Sequence, residues 1–458
     1  MKTTHILPFN YYFSFAVFSF VFLFFVSCRK IISLNDTSIS SQKSNQLAGK
    51  PNIIFIVGDD CGFEIPTCNG GESYSTPNID LLSENGMRFT QCYALPLCSP
   101  SRIELMTGKY NFRNYTQWGT LDTTQKTFAN MLHHAGYKTC YAGKWQLDGG
   151  DNSIHKFGFD KYLVWFPFNN KHENTEGKYR YKNPHLYQNG KFLATAQTAG
   201  KYADDMFVNY ILKFIDSNLT KPFFVLYSTC LVHDPFGPTP DDPEFATWDY
   251  TTMPSDKRFF RSMVKYMDKE IQKIIGRLYS RGLMNNTVIV FTGDNGTDTN
   301  IVSLFKGQEI RGGKGKSTIY GTHVPLIVRW PGIVPASQVS DALIDFSDFL
   351  PTFADIAHLT VPVNYGQLDG VSFVPALDGS KTSLRKWVFG SWIHSFTGDK
   401  WQKWAQNRRY KLYDSIYQNN FFNIVRDPFE LSPIPEVDLT SDEIVIKNKF
   451  TNILNTMH

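Results

Sequence analysis

Four apolar runs of six residues set the frame for this chain: Asn52–Val57 (NIIFIV), Phe223–Ser228 (FFVLYS), Thr287–Thr292 (TVIVFT) and Pro325–Trp330 (PLIVRW). Each is short and unbroken rather than alternating, the pattern of a strand covered on both faces. The segments between them carry helical signals. Thr76-Pro77 offers an N-cap followed by a first-turn proline, and Gly86 closes that helix. Phe128, Met131, Leu132 and Ala135 share one helical face before Gly136, Ala203–Ser217 is amphipathic, and Arg261–Arg281 is a long helix. Arg88–Tyr93 and Thr139–Ala142 read as further strands. This alternation predicts an α/β fold: a mostly parallel sheet with helices on both faces and a ligand site beyond the carboxyl ends of the strands. Past about residue 375 the pattern changes. "RRYKLYD" and "FFNIVRDPFEL" read as short antiparallel strands, which divides the chain into a main domain over 51–375 and a smaller antiparallel α+β subdomain over 376–458.

The N-terminus reads differently. Lys2 and His5 precede an apolar run from Tyr11 to Val26, too short for an ordinary membrane span and followed by Ser27-Cys28. Residues 1–28 therefore read as a signal peptide. Cys28 resembles the lipidated cysteine of bacterial lipoproteins, although Phe25 departs from the usual aliphatic residue, and ordinary cleavage and secretion is the alternative. Residues 29–50, rich in Ser, Asn, Lys and Gln, read as a tether. An exported protein, periplasmic or at the cell surface and membrane-anchored, is the expectation. The net charge of +4 over 458 residues does not suggest nucleic acid. Aromatic residues make up 15%, which points to an aromatic core or to rings facing a cleft, with Trp118, Trp145, Trp392, Trp401 and Trp404 as sugar-stacking candidates and His394 as a sugar contact. The seven cysteines show no framework or zinc spacing; most read as buried thiols, with room for one or two bridges.

Chemistry-bearing residues follow the strands. Asp59-Asp60 come directly after NIIFIV, and Asp294-Asn295 after TVIVFT. Adjacent carboxylates at a buried strand end repel unless a cation or donors offset them, and an all-oxygen set suits a hard divalent ion such as Ca²⁺ or Mg²⁺. Cys98-Ser99-Pro100-Ser101-Arg102 follows a strand and opens an apolar helical stretch, where helix N-terminal N–H groups favour an anion.

These residues resemble a family. The Cys-x-Pro-x-Arg stretch is similar to the signature of formylglycine-dependent sulfatases, of alkaline-phosphatase-like fold, in which a maturase oxidises the cysteine to Cα-formylglycine. "IFIVGDD", "GKYNFR", "AGKWQL", "FTGDNG", "GGKGKSTIYGTHVPLIVRWPG" and "IVRDPFEL" resemble further segments of that family, in order, over about residues 51–435. The resemblance implies a sulfuric ester hydrolase acting on a sulfated carbohydrate. It implies that Cys98, as the hydrated aldehyde, attacks sulfur. It also implies that Asp59, Asp60, Asp294 and Asn295, together with modified Cys98, hold the cation, most often Ca²⁺. Arg102 would orient the hydrate, Lys144 and Lys314 would face the sulfate, and His233 would protonate the leaving alcohol. Lys314 is preferred to Lys316 because the family's lysine lies ten residues before the Val of Val-Pro, here Val324. Gln146 stands where the family has His. It can hydrogen-bond the second hydroxyl but cannot take its proton, so the elimination needs another group, a metal-bound carboxylate or a His such as His155. A phosphodiesterase or phosphonate monoester hydrolase of the same superfamily is one alternative. A non-catalytic binding protein for sulfated glycans is another, favoured by Gln146 alone.

Overall fold

The computed structural model describes residues 49–148, 150–165, 179–394, 396 and 399–457. The signal segment, Cys28 and all but the end of the tether lie outside the described residues. In chain order the strands are β1 (Asn52–Gly58), β2 (Met87–Tyr93), β3 (Lys138–Lys144), β4 (Lys161–Trp165), β5 (Leu186–Gln188), β6 (Lys191–Phe192), β7 (Phe223–Ser228) and β8 (Thr287–Gly293), then β9 (Val302–Phe305), β10 (Gln308–Arg311), β11 (His323–Arg329), β12 (Gln338–Ser340) and β13 (Ile344–Asp345). Among the described residues, eleven of them form one sheet in the order β12-β2-β11-β8-β1-β7-β3-β4-β5-β6, with β13 beside β2; β9 and β10 make a separate hairpin.

The central strands β8, β1, β7, β3 and β4 run parallel, as the apolar runs predict. The PLIVRW strand does not follow them: β11 is antiparallel to both β8 and β2. A parallel return needs a crossover to the far end of the sheet. Between β8 and β11 the chain instead forms the β9–β10 hairpin and a four-residue helix, Ile319–Thr322, so it re-enters the sheet from the end at which it left.

Both faces of β1 are buried. Ile53, Phe55 and Val57 join one core, and Ile54 and Ile56 the other. On the first face pack α2 (Cys98–Thr107), α3 (Phe128–His134) and α6 (Phe349–Ile356), with Phe55 ringed by Phe128, Phe349 and Phe353 at 5.2–6.1 Å between centroids. On the second lie α1 (Pro77–Glu84), α4 (Ala203–Asp216) and α5 (Phe260–Ser280). Much of the aromatic content is therefore core: Trp145, Trp392 and Trp404 are buried, leaving Trp118 and Trp401 more open and His394 exposed. Thr76 occupies the N-cap position of α1, but its hydroxyl serves Thr67 and Asp80 and makes no capping bond. The six described cysteines are all free thiols, so none of the bridges the sequence left open is formed among them.

The register positions the site. Gly58 pairs with Gly293, Val57 with Ser228, and Ser228 with Gly143. The residues that come next, Asp59, Asp294 and Lys144, thus emerge together at one rim. Gly143 has φ +118°, and a Cβ there would lie 1.8 Å from the Ser228 carbonyl oxygen, so only glycine allows these strands to close up at the rim.

After the main sheet, β14 (Val388–Trp392), β15 (Gln402–Gln406), β16 (Tyr410–Tyr413) and β17 (Phe421–Asn423) form a four-stranded antiparallel sheet. Helix α7 (Ser441–Thr456), capped by the Thr440–Glu443 box, packs on it.

Candidate active site

Each predicted residue is placed by the element that ends or begins beside it. Asp59 and Asp60 follow β1, Asp60 with φ +56°. Asp294 and Asn295 follow β8, Lys144 ends β3, and His233 lies in the turn after β7. Cys98 is the first residue of α2, and Arg102 stands one turn along on the same face. Lys314 comes from the loop between β10 and β11, whereas Lys316 is exposed.

These groups converge. The Cys98 thiol donates to Asp59 Oδ1 at 3.4 Å and approaches Asp60 Oδ1 at 3.8 Å. Lys144 Nζ donates to both Asp59 oxygens at 2.7 and 2.8 Å. Lys314 Nζ lies 2.7 Å from Asp60 Oδ2 and 2.7 Å from His233 Nε2. Arg102 Nε donates to Asp294 Oδ2 at 2.9 Å, its NH1 to the Lys144 carbonyl at 2.9 Å and to Ser228. The Asp60 amide donates to Asp294 Oδ1 at 3.0 Å, and Asn295 Nδ2 to Asp60 Oδ1 at 2.8 Å.

Burial and charge oppose each other here. Burial alone would push Asp59 up, but Lys144, His233, Arg102 and Arg180 hold its carboxyl well below the usual range. Asp60 is pushed up by burial, with Lys314 opposing and Asp59 adding to the rise. Asp294 is pushed up to about 6 by burial, against the pull of Arg102. Burial and Asp294 raise the Cys98 thiol, consistent with its role here as a donor. His233 is pushed well below its ordinary value by burial, Arg180 and Lys314. Its Nδ1 faces the Asp234 carbonyl at 2.5 Å, leaving Nε2 to accept from Lys314.

The residues fit a hard cation. Ligand atoms of Asp59, Asp60, Cys98 and His233 lie within 4.8 Å of one another, and the Asn295 carbonyl oxygen is buried with no hydrogen-bond partner. Buried carboxylates crowded at one rim, beside an unused amide oxygen, form the donor set that Ca²⁺ or Mg²⁺ takes.

Gln146 has φ +50°, and its carbonyl accepts from Ser99 Oγ at 3.4 Å, so its backbone adjoins the Cys98 turn. Its side-chain oxygen is buried without a partner. His155 is elsewhere: its Nδ1 faces the Phe159 carbonyl and its ring packs on Tyr162, apart from the groups around Cys98.

Three site residues escape sequence reading. Arg180 is buried, stacks on Trp165 at 4.4 Å, lies 3.9 Å from Asp59 and donates to the Asp234 carbonyl at 2.9 Å. Tyr181 donates to the carbonyls of Cys230 and His233, at 2.7 and 2.5 Å. Together they clamp the turn bearing His233. Neither follows an apolar run or sits in a recognisable motif. Ser228, the partner of Arg102, ends FFVLYS, and its place at a strand end was the available signal.

A fold of this topology, with strand-end carboxylates facing a helix-opening cysteine, defines an alkaline-phosphatase-like hydrolase. The sulfatase family profile matches residues 51–359, and the profile described as "N-sulphoglucosamine sulphohydrolase, C-terminal" matches 316–456. The chain belongs to the sulfatase family. It is 30% identical to arylsulfatase G of Rattus norvegicus over 405 residues, covering 77% of this chain and 73% of that protein. It is 25% identical to N-acetylglucosamine-6-O-sulfatase of Bacteroides thetaiotaomicron over 488 residues, covering 84% and 82%. The crystal structure of Ps i-CgsB in complex with k-i-k-neocarrahexaose shares the fold, with a TM-score of 0.73, 24% identity and coverage of 89% and 92%.

Proposed function

We propose that this sulfatase is exported and removes sulfate esters from carbohydrates, using a divalent cation, Ca²⁺ or Mg²⁺, and Cys98 oxidised by a maturase to Cα-formylglycine. One observation carries the reading: Cys98 opens α2 at the point where Asp59, Asp60, Lys144, Lys314 and His233 converge. Formylglycine supplies, as its hydrate, one hydroxyl to attack sulfur and a second to release sulfate. Asp59, Asp60, Asp294, Asn295 and modified residue 98 would hold the cation, which would supply Lewis acidity at the sulfate oxygens.

The chain's own side chains account for the remaining demands. Arg102, tied to Asp294 and the Lys144 carbonyl, is fixed one turn from residue 98 and orients it. Lys144 and Lys314 are prepositioned positive charges for an anionic ester whose transition state gathers charge on the leaving oxygen. Lys314 and His233 hold one proton between two nitrogens 2.7 Å apart, and that pair is the source for the leaving alcohol. Gln146, beside the Cys98 turn, can hold a hydroxyl but cannot take its proton.

The bacterial N-acetylglucosamine-6-O-sulfatase among its relatives supports a sugar substrate. The lipoprotein-like N-terminus, with Cys28 lipidated, supports export and anchoring. The test is co-expression with a formylglycine-generating maturase. The peptide containing residue 98 is weighed, and sulfate release from a panel of sulfated mono- and oligosaccharides is measured. An aldehyde mass and sulfate release are expected. An unmodified thiol from the native host with no turnover would favour the binding-protein reading. Faster hydrolysis of an aryl phosphate diester than of the matched aryl sulfate would favour the phosphodiesterase reading.

A further inference from the structure

At the rim opposite the catalytic groups, a groove of about 1120 Å³ runs between the starts of β3 and β4 and helix α4. Four lysines from different elements line it: Lys138 opens β3, Lys161 opens β4, Lys201 precedes α4 and Lys213 lies on it. Lys138 and Lys144 are the two ends of β3, so about 20 Å of strand separates the groove from the active site.

Charge is sorted around this groove. None of the four ammonium groups has a carboxylate oxygen within 4.0 Å among the described residues. The groove's one acid, Asp160, is engaged by His133 at 3.2 Å and by the Thr139 amide at 3.0 Å. The three acids of α4 are turned away. Asp205 pairs with Lys273, Asp216 pairs with Arg277 and Arg281, and Asp204 accepts from Tyr227 and Thr229. The half-buried ring of Tyr210, the amides of Gln188 and Asn189 and the apolar side chains of Leu163, Leu193, Met206 and Phe214 also line it, with Asn189 Oδ1 accepting from the Tyr162 amide and the Tyr210 hydroxyl. Cations for sulfate, amides for hydroxyls and a ring for a sugar face together suit one ligand class. The lining along α4 and just past its end, from Met206 to Asn218, spans about 18 Å, room for several rings.

We propose that this groove is a second, non-catalytic binding site for a sulfated polysaccharide. It holds a chain on the enzyme while the active site at the other rim works on a separate end or strand, which raises the effective concentration of ester. The proposal rests on the carbohydrate sulfatase reading for its purpose, and the experiment separates the two.

The matured full-length protein is applied to immobilised dextran sulfate, beside a variant carrying Lys161→Ala, Lys201→Ala and Lys213→Ala. A charge-matched control carries Lys381→Ala, Lys386→Ala and Lys449→Ala, exposed lysines that do not line the groove. The groove variant is expected to lose on the order of tenfold or more in affinity at 0.1 M salt, with a shallower salt dependence, since fewer counterions are released from the polyanion. The control should retain wild-type affinity, and all three should hydrolyse a small aryl sulfate with the same kcat/KM and share one Tm. No retention of the wild type, equal weakening of the control, or no weakening of the groove variant would each overturn the proposal. So would loss of binding by the groove variant to phosphatidylserine–phosphatidylcholine vesicles with dextran sulfate binding intact, which would assign the groove to a lipid surface. Groove-dependent retention without aryl sulfate turnover by the wild type would support the groove and overturn the catalytic reading instead.

Discussion

In the proposed mechanism, Cys98 and Gln146 divide the chemistry of one turn between a residue that reacts and a residue that cannot accept a proton. On that mechanism Cys98→Ala removes the nucleophile, so steady-state sulfate release should fall by about 10⁴-fold or more while Tm stays near wild type. Residual turnover within tenfold of wild type would exclude residue 98 from the chemistry. Gln146 raises a finer question. Its side-chain oxygen is buried and unpartnered, and its backbone adjoins Ser99. A positioned general base is worth about 10²–10⁴-fold, so Gln146→His should raise kcat with little change in KM where the ring is accommodated. Gln146→Ala should lower kcat by about tenfold, the loss of one hydrogen bond to the reacting group. If both variants match wild type in kcat, Gln146 serves only the turn.

The loop carrying Lys314 is held from the C-terminal sheet. Buried Lys411, on β16, donates to the Ser317 carbonyl and pairs with Glu430 at 3.1 Å. Tyr413 bonds both Glu430 and Ser317. Burial pushes the Lys411 ammonium down, and Glu430 opposes this. Glu430→Gln leaves a buried cation without its counter-charge and should cost about 3–5 kcal/mol. It should also lower kcat by about tenfold as Lys314 loses its support; urea denaturation and steady-state kinetics measure the two. An unchanged kcat at reduced stability would show that the sheet braces the fold and not the site. Much of this was legible in the sequence. The parallel strands and their acidic ends followed from unbroken apolar runs, and Lys314 from the family resemblance, whose lysine precedes the Val of Val-Pro by a fixed distance. The reversed direction of β11 was not, because an apolar run has no direction until its connection is known. Arg180 and Tyr181 were also hidden, since a clamp on a distant turn leaves no periodicity. The role of Glu430 lay in a motif whose resemblance gave a position without a partner.

The whole molecule should report the cation and the acid limit through stability. Asp59, Asp60 and Asp294 crowd one rim, and burial already raises two of them. A cation at a hundredfold its Kd should stabilise the fold by about 2.7 kcal/mol. Exhaustive chelation should therefore lower Tm and activity together, and Ca²⁺ should restore both. A metal-free sample, verified by elemental analysis, with unchanged Tm would remove the cation from this rim. His323 sets an acid limit. Its ring lies between Phe63 and Tyr93, stacked at 3.9 and 5.2 Å, and burial pushes it down to about 4 from 6.5. The unfolded chain binds this proton first, so stability falls as pH drops from 6.5 towards 4, by about 3 kcal/mol for this group. His323→Phe should flatten that part of the pH–Tm profile; an unaltered slope would place the acid sensitivity elsewhere.

The alignment of Gly58, Ser228, Gly143 and Gly293 at one rim has a consequence for evolvability. Asp59, Lys144 and Asp294 hang directly from backbone locked in the sheet, within a residue of the last register pair. The segment from Asn114 to Thr127 is held at Tyr115 and Leu121, both buried in the core, and exposes residues 116–118 and 122–124 between those points. Composition at those exposed positions can drift without displacing the carboxylates and ammonium group that the rim holds.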